Sequence, residues 1–215
     1  MQMNSETPKG EKSQNRMSEY HLKKIQHKLK KHLDENRFEH TEGVRYTCAA
    51  LAMRYQYDLE RAQVAGLLHD CAKCIPDGKK IKICKKHQIE MSRAEQESPF
   101  LLHAKVGAHI AEAKYGVKDR EILSAIACHT TGKAGMTLLE KIVYIADYIE
   151  PHRNAAPNLE EIRRLAFEDI DRAMYVILRD TLSYLKAKGK PIDSMTQVAY
   201  EYYAELMKHD GSRKE

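Results

Sequence analysis

His40, the adjacent pair His69-Asp70, His103, His129 and Asp147 are the side chains of this 215-residue sequence best placed to do chemistry. All offer nitrogen or oxygen, and none a thiolate, so together they suit Fe, Mn, Co or Zn. Neighbouring side chains on a helix point about 100° apart. His69 and Asp70 can therefore grip one ion only where a buried helix end lets both lean toward a shared axis. Taken alone, a His-Asp pair reads as a helix-terminal imidazole beside a solvated carboxylate. The order of the other donors argues for more than that.

The elements that must position these residues follow from the apolar spacing. Residues 1–16 lack periodicity and are rich in Ser, Gln, Asn and Lys, so they are expected to form a disordered tail. From Met17 a helix is predicted through Tyr20, Leu22, Ile25, Leu29 and Leu33, with Ser18 and Glu19 at its start and a solvated lysine face. Thr41 is expected to cap the next helix, which carries Val44, Cys48, Leu51 and Ala52 inward and leaves His40 just before its start. Asp58 and Glu60 open a core helix that delivers His69-Asp70 at its end.

Pro76 and Gly78 should break the chain before a short basic helix, KKIKICKKHQIE, and SRAEQESP reads as a polar connection. Pro99 begins the segment that presents His103, and Tyr115-Gly116 closes it as a C-terminal cap. Asp119 starts a helix ending at His129. In TLLEKIVYIADYIEPHR, Asp147 sits inside an apolar helix that Pro151 ends; a carboxylate there either faces solvent or is buried and compensated. Helices over about 159–187, broken near Glu168, and 194–208 complete an all-α domain spanning residues 17–210.

Composition narrows the function. A formal charge of +5, from 36 Lys and Arg against 31 Asp and Glu, suits an anionic small molecule and gives little reason to expect nucleic-acid binding. No run reaches the roughly 18 apolar residues of a membrane span, and the polar start is no signal peptide, so a cytoplasmic protein without a membrane partner is expected. Five cysteines make a disulfide framework improbable. Cys71, Cys74, Cys84 and His87 have a zinc-like spacing, but Cys71 and Cys74 interleave with Asp70 and Lys73 on one helical turn, so buried or half-exposed thiols are expected instead.

The arrangement H…HD…H…H…D resembles the HD-domain metal-dependent phosphohydrolases. More specifically, RFEHTEGV, AGLLHDCAK, LLHAKVGA, CHTTG and YIADYIEPHR resemble the YqeK family, from about residue 18 to 208. That resemblance implies a single HD-domain helical bundle with a metal site at its centre and symmetrical hydrolysis of dinucleoside tetraphosphates to two nucleoside diphosphates, ADP from the diadenosine compound. It implies His40, His69, Asp70 and Asp147 as ligands of iron, with Mn, Co or Zn as alternatives. It further implies contacts to the nucleoside diphosphate from Lys73, His103, His129, Thr130, Asp147 and Arg153, and a catalytic group of Asp70, Lys73, His103 and His129. His103 and His129 would donate to the phosphoryl group or help hold a second ion bridged by Asp70; one metal ion and two are both open. A homodimer is also open. Cys71 departs from the family pattern, which has a bulkier side chain there, and makes packing and redox sensitivity the points to test. Two other readings are an HD enzyme acting on a nucleotide monoester or cyclic diester, and a nucleotide sensor with little turnover.

Overall fold

A computed structural model describes residues 20–211. The expected tail over 1–16, Met17 and the Ser18–Glu19 start lie outside the described residues. Within them the chain is all-α, as expected: α1 (Leu22–Lys30), α2 (Glu35–Arg54), α3 (Leu59–Leu68), α4 (Asp77–His87), α5 (Arg93–Glu97), a 3₁₀ turn (Pro99–Leu102), α6 (His103–Tyr115), α7 (Arg120–Cys128), α8 (Leu138–Ile149), α9 (Leu159–Glu168), α10 (Ile170–Ala187) and α11 (Ser194–Gly211). None of these helices is long and apolar enough to cross a membrane.

Short polar side chains set most of the starts. Asp34, Asp58, Asp119 and Asp169 accept hydrogen bonds from first-turn amides of α2, α3, α7 and α10. Ser92 and Thr137 close capping boxes with Glu95 and Glu140. Such caps satisfy amides that the helix itself leaves unpaired. Gly116, with positive φ, ends α6 as expected.

Three local expectations are corrected. Asp34, not Thr41, caps α2, so Thr41 is buried inside the helix and His40 belongs to its second turn rather than to a preceding loop. SRAEQESP is not a plain connection, because its Ser92–Glu95 capping box nucleates α5. Pro76 does sit at a boundary, but Gly78 lies inside the first turn of α4. The first two differences arise where a side chain–backbone bond, from Asp34 or Ser92, sets the helix start.

The core gathers α2, α3, α7 and α8. Leu51, Leu67, Leu68, Ile126, Leu139, Ile142 and Ile145 are fully or almost fully buried there, each contributing roughly 1.5–3 kcal/mol of hydrophobic stabilisation. Gly66 makes the α2–α3 approach close, since a β-carbon there would meet Arg45 Cα and Cys48 Sγ at 3.0 Å. α9, α10 and α11 cover the far side, with Tyr203 buried and Tyr175 and Tyr200 stacked.

These layers rank two substitutions. Thr137→Ala should cost about 1 kcal/mol through the lost cap, and Ile142→Ala about 2–5 kcal/mol through a core cavity. Urea unfolding would check the order; a larger loss at Thr137 would contradict this account of the core.

Candidate metal centre

Three of the four site histidines are held by one local device. His69 and His129 directly follow α3 and α7, and His103 directly follows the 3₁₀ turn. Each turns its Nδ1 back onto the carbonyl three residues earlier: His69 to Gly66 at 2.7 Å, His103 to Phe100 at 2.6 Å and His129 to Ile126 at 2.7 Å. Carbonyls at a helix end run short of intrahelical amides, and the imidazole supplies a donor; the Phe100 carbonyl takes the His103 amide as well. His40, inside α2, instead donates Nδ1 to Glu150 Oε1 at 3.1 Å.

The tautomer follows from these partners. A carbonyl or carboxylate oxygen only accepts, so each facing Nδ1 carries the ring proton, and Nε2 of the neutral ring keeps a lone pair. All four Nε2 atoms converge. Those of His40 and His69 are 3.3 Å apart, and those of His103 and His129 are 3.2 Å apart. Lone pairs that close repel unless a cation or proton lies among them.

Asp70 stands between the two pairs. Its Oδ2 faces His69 Nε2 at 3.5 Å and His40 Nε2 at 3.8 Å, while Oδ1 faces His103 at 3.1 Å and His129 at 3.5 Å. Oδ1 is buried and accepts no well-formed hydrogen bond. Asp147 Oδ1 lies 3.1 Å from His40 Nε2 and 3.9 Å from His69 Nε2. His40, His69 and Asp147 thus form one convergent group, and His69, Asp70 and His129 a second. Neutral imidazoles oriented from behind, an orphaned carboxylate oxygen and a second carboxylate together fit a divalent ion. Among the described residues no convergent group includes a cysteine.

The electrostatics agree. Burial pushes Asp70 toward protonation, but the surrounding His69, His103 and His129 reverse this and hold the carboxyl well below the usual range. Burial likewise raises Asp147, and the neighbouring His40 and His69 more than offset it, holding the carboxyl well below the usual range. Burial lowers His103 to about 4, against the pull of Asp70.

Cationic side chains complete the rim. Lys73 Nζ is 3.1 Å from His103 Nε2 and 3.8 Å from Asp70 Oδ1. Burial lowers its pKa, partly offset by Asp70 and Asp147. Thr130 Oγ1 lies 3.3 Å from His103 Nε2 and 3.4 Å from His129 Nε2. Arg153 Nη2 donates to the Asp147 carbonyl at 2.9 Å and to its Oδ1 at 3.0 Å. Every residue expected from the sequence is therefore in one place.

Some positioning residues were not singled out by sequence. Arg37 donates to Asp70 Oδ2 at 2.8 Å. Its i, i+3 spacing to His40 on one helix face was the available signal. Glu150 is almost fully buried behind His40, and a β-carbon at Gly43 would come within 2.6 Å of its Oε2. Arg163 ties the loop down through the carbonyls of Ile149, Glu150 and Arg153, each at 3.0 Å. That contact joins separate elements and leaves no local pattern.

Imidazoles and carboxylates converging at the centre of an all-α bundle define an HD-domain protein, and the family model described as HD domain matches residues 37–152. The chain is 38% identical to the symmetrical bis(5'-nucleosyl)-tetraphosphatase of Bacillus subtilis (strain 168) over 174 residues, 81% of this chain and 92% of that one. It is 35% identical to the protein of the same name from Staphylococcus aureus (strain NCTC 8325 / PS 47), covering 88% of this chain and 99% of that one. A crystal structure of a predicted HD superfamily hydrolase involved in NAD metabolism, from Clostridium acetobutylicum, superposes with a TM-score of 0.84 at 38% identity, covering 87% of this chain and 98% of that one. The chain belongs to the YqeK-type HD-domain family.

The thiols next to this centre are inert by environment. Cys71 is buried, its Sγ–H aimed at the Gly107 carbonyl, and burial raises its pKa to about 12, as it does for Cys128. Such thiols stay protonated near neutral pH, which removes the nucleophile. Cys74 is the exposed cysteine. Iodoacetamide followed by peptide mass spectrometry should label Cys74 first in the native protein and all five thiols in urea. Early labelling of Cys71 would restore the redox sensitivity that its position beside Asp70 suggests.

Proposed function

We propose that residues 17–210 form one metal-dependent HD-domain phosphohydrolase that cleaves diadenosine tetraphosphate and related dinucleoside tetraphosphates at the central anhydride, releasing two nucleoside diphosphates. The convergence of four proton-free Nε2 atoms on Asp70 carries this reading. Its substrate is taken from the relatives, which bear the name symmetrical bis(5'-nucleosyl)-tetraphosphatase at 35–38% identity over most of both chains.

In this reading His40, His69, Asp70 and Asp147 hold iron, or Mn, Co or Zn, and Asp70 with His103 and His129 could hold a second ion. A divalent ion there supplies Lewis acidity toward a phosphate oxygen and makes water easier to deprotonate at neutral pH. The chain's own groups do the rest. Lys73 places a compact charge against the phosphates, and Arg153 offers a planar fork for their oxygens while its bond to Asp147 holds that carboxylate in place. Burial keeps His103 neutral at pH 7, so its Nε2 accepts from Lys73 and holds that cation at the rim rather than repelling it. Thr130 adds a hydroxyl. It also borders a largely apolar cleft of about 250 Å³ with Phe100, Thr131, Thr181 and Leu185, which gives a nucleoside somewhere to go.

Asp70→Asn should reduce bound metal at least about 10-fold, as losses of ligand-orienting groups already do. Lys73→Ala should keep the metal and lose roughly 10- to 100-fold in turnover, the worth of a charge-assisted hydrogen bond. Elemental analysis beside steady-state kinetics separates the two. Full metal content with parental turnover in Asp70→Asn would remove the ligand assignment.

The position of the cut is tested by products. Anchoring one ADP half with its terminal phosphate at the centre gives ADP alone, with one ¹⁸O per pair when the reaction runs in labelled water. ATP and AMP in equal amounts would overturn the symmetrical assignment even with every ligand correct. Preferential release from a nucleotide monoester or cyclic dinucleotide, compared side by side, would favour another HD phosphohydrolase.

A further inference from the structure

Asp70 and Lys73 point into the metal centre, while Cys71 and Cys74, on the same turn, line a different cleft of about 710 Å³. Its floor is apolar, built from Ile75, Ile83 and the buried Ile110 and Cys71. Around this floor stand Lys28, His32, Lys79, His87, His109 and Lys114, contributed by α1, α4, α6 and the segment after α1. No Asp or Glu lines the cleft.

Lysines packed into the body of the molecule are neutralised: Lys80, Lys105, Lys133 and Lys141 each pair with a carboxylate at 2.6–2.8 Å. Among the described residues, Lys28, Lys79 and Lys114 have no carboxylate within the 4.0 Å of an ion pair. Lys28 reaches only the Lys114 carbonyl at 3.4 Å and the face of Tyr115. The His87 and His109 rings lie 4.1 Å apart at 38°, so two ionisable imidazoles share one wall. Glu112 acts on His109 from outside the cleft, and Asp34 at the rim is engaged by the Arg37 amide and Cys74. Like charges gathered in a concavity focus a positive potential, and an anion of several charges relieves it.

We infer that this cleft is a second anion site, separate from the metal centre, for a small molecule carrying a polyphosphate chain. A short chain spans several cations at once, and the apolar floor accepts whatever the chain is attached to. The site has a route to the centre: Cys74 Sγ–H donates to Asp34 Oδ2, Asp34 caps α2 at Arg37, and Arg37 holds Asp70. The assignment stands independently of the substrate proposed above.

Exposed Cys74 at the rim reports on occupancy. Inorganic tripolyphosphate is added to the metal-loaded protein with saturating ADP present, so that the catalytic centre is taken, and the rate of Cys74 alkylation is followed. Protection of at least 10-fold is expected at saturation, with shifts of the His87 and His109 ring signals in NMR spectra. Lys28→Gln with Lys114→Gln should raise the concentration needed at least 10-fold, while turnover without tripolyphosphate and the thermal midpoint stay as in the parent. Unchanged alkylation, or equal protection in the double variant, would overturn the site. A short DNA duplex that protects Cys74 at lower concentration than tripolyphosphate would overturn the small-molecule assignment in favour of nucleic acid.

Discussion

Asp70 is a buried carboxylate ringed by four imidazoles that cannot all give it a proton. Their Nδ1 atoms are committed to Gly66, Phe100, Ile126 and Glu150, so what they present to the centre is lone pairs. An array of buried acceptors costs several kcal/mol for each unsatisfied group unless a cation joins them. Much of the surrounding architecture serves to make that arrangement hold. Helix ends fix three rings, Gly43 and Gly66 let Glu150 and α3 close on α2, and Arg163 pins the segment carrying Glu150 and Arg153.

The same constraint accounts for the division of labour around the site. The acceptors lie deep and are nearly dry, whereas the cations Arg37, Lys73 and Arg153 remain partly open to solvent. Deep acceptors suit an ion that stays, and rim cations suit an anionic ligand that comes and goes. His103 bridges the two sets, since one Nε2 faces Asp70, His129, Lys73 and Thr130. Its environment, more than its residue type, makes it a neutral group at the boundary between metal and phosphate.

A helical turn with two working faces adds a second aspect. Residues 70 and 73 serve the centre while 71 and 74 line a cationic cleft, so any ligand there would press on the backbone that aims Asp70. The spacing that resembles a zinc motif in sequence is the trace of this alternation. Cys84 is buried in the core, the His87 and His109 rings lie tilted against one another, and Cys71 and Cys74 line the cleft rather than act as ligands.

By itself the sequence determined that the chain is all-helical, where many helices begin and end, and which His and Asp residues the fold brings together. Apolar periodicity, the Asp58 and Asp119 starts, and histidines placed directly after apolar runs are local features, and local features survive in a linear reading. It misplaced the start of α2 because Thr41 has capping chemistry but Asp34 comes first, and it took SRAEQESP for a connection because a capping box over five residues leaves no apolar period. Only the tertiary structure decided that Asp147, mid-helix, is compensated by His40 and Arg153, and that Glu150, Arg37 and Arg163 are the groups behind the donors. It alone decided that lysines distant in sequence share one cleft without a carboxylate. Those facts are contacts between elements tens of residues apart, and no local spacing records which faces will meet.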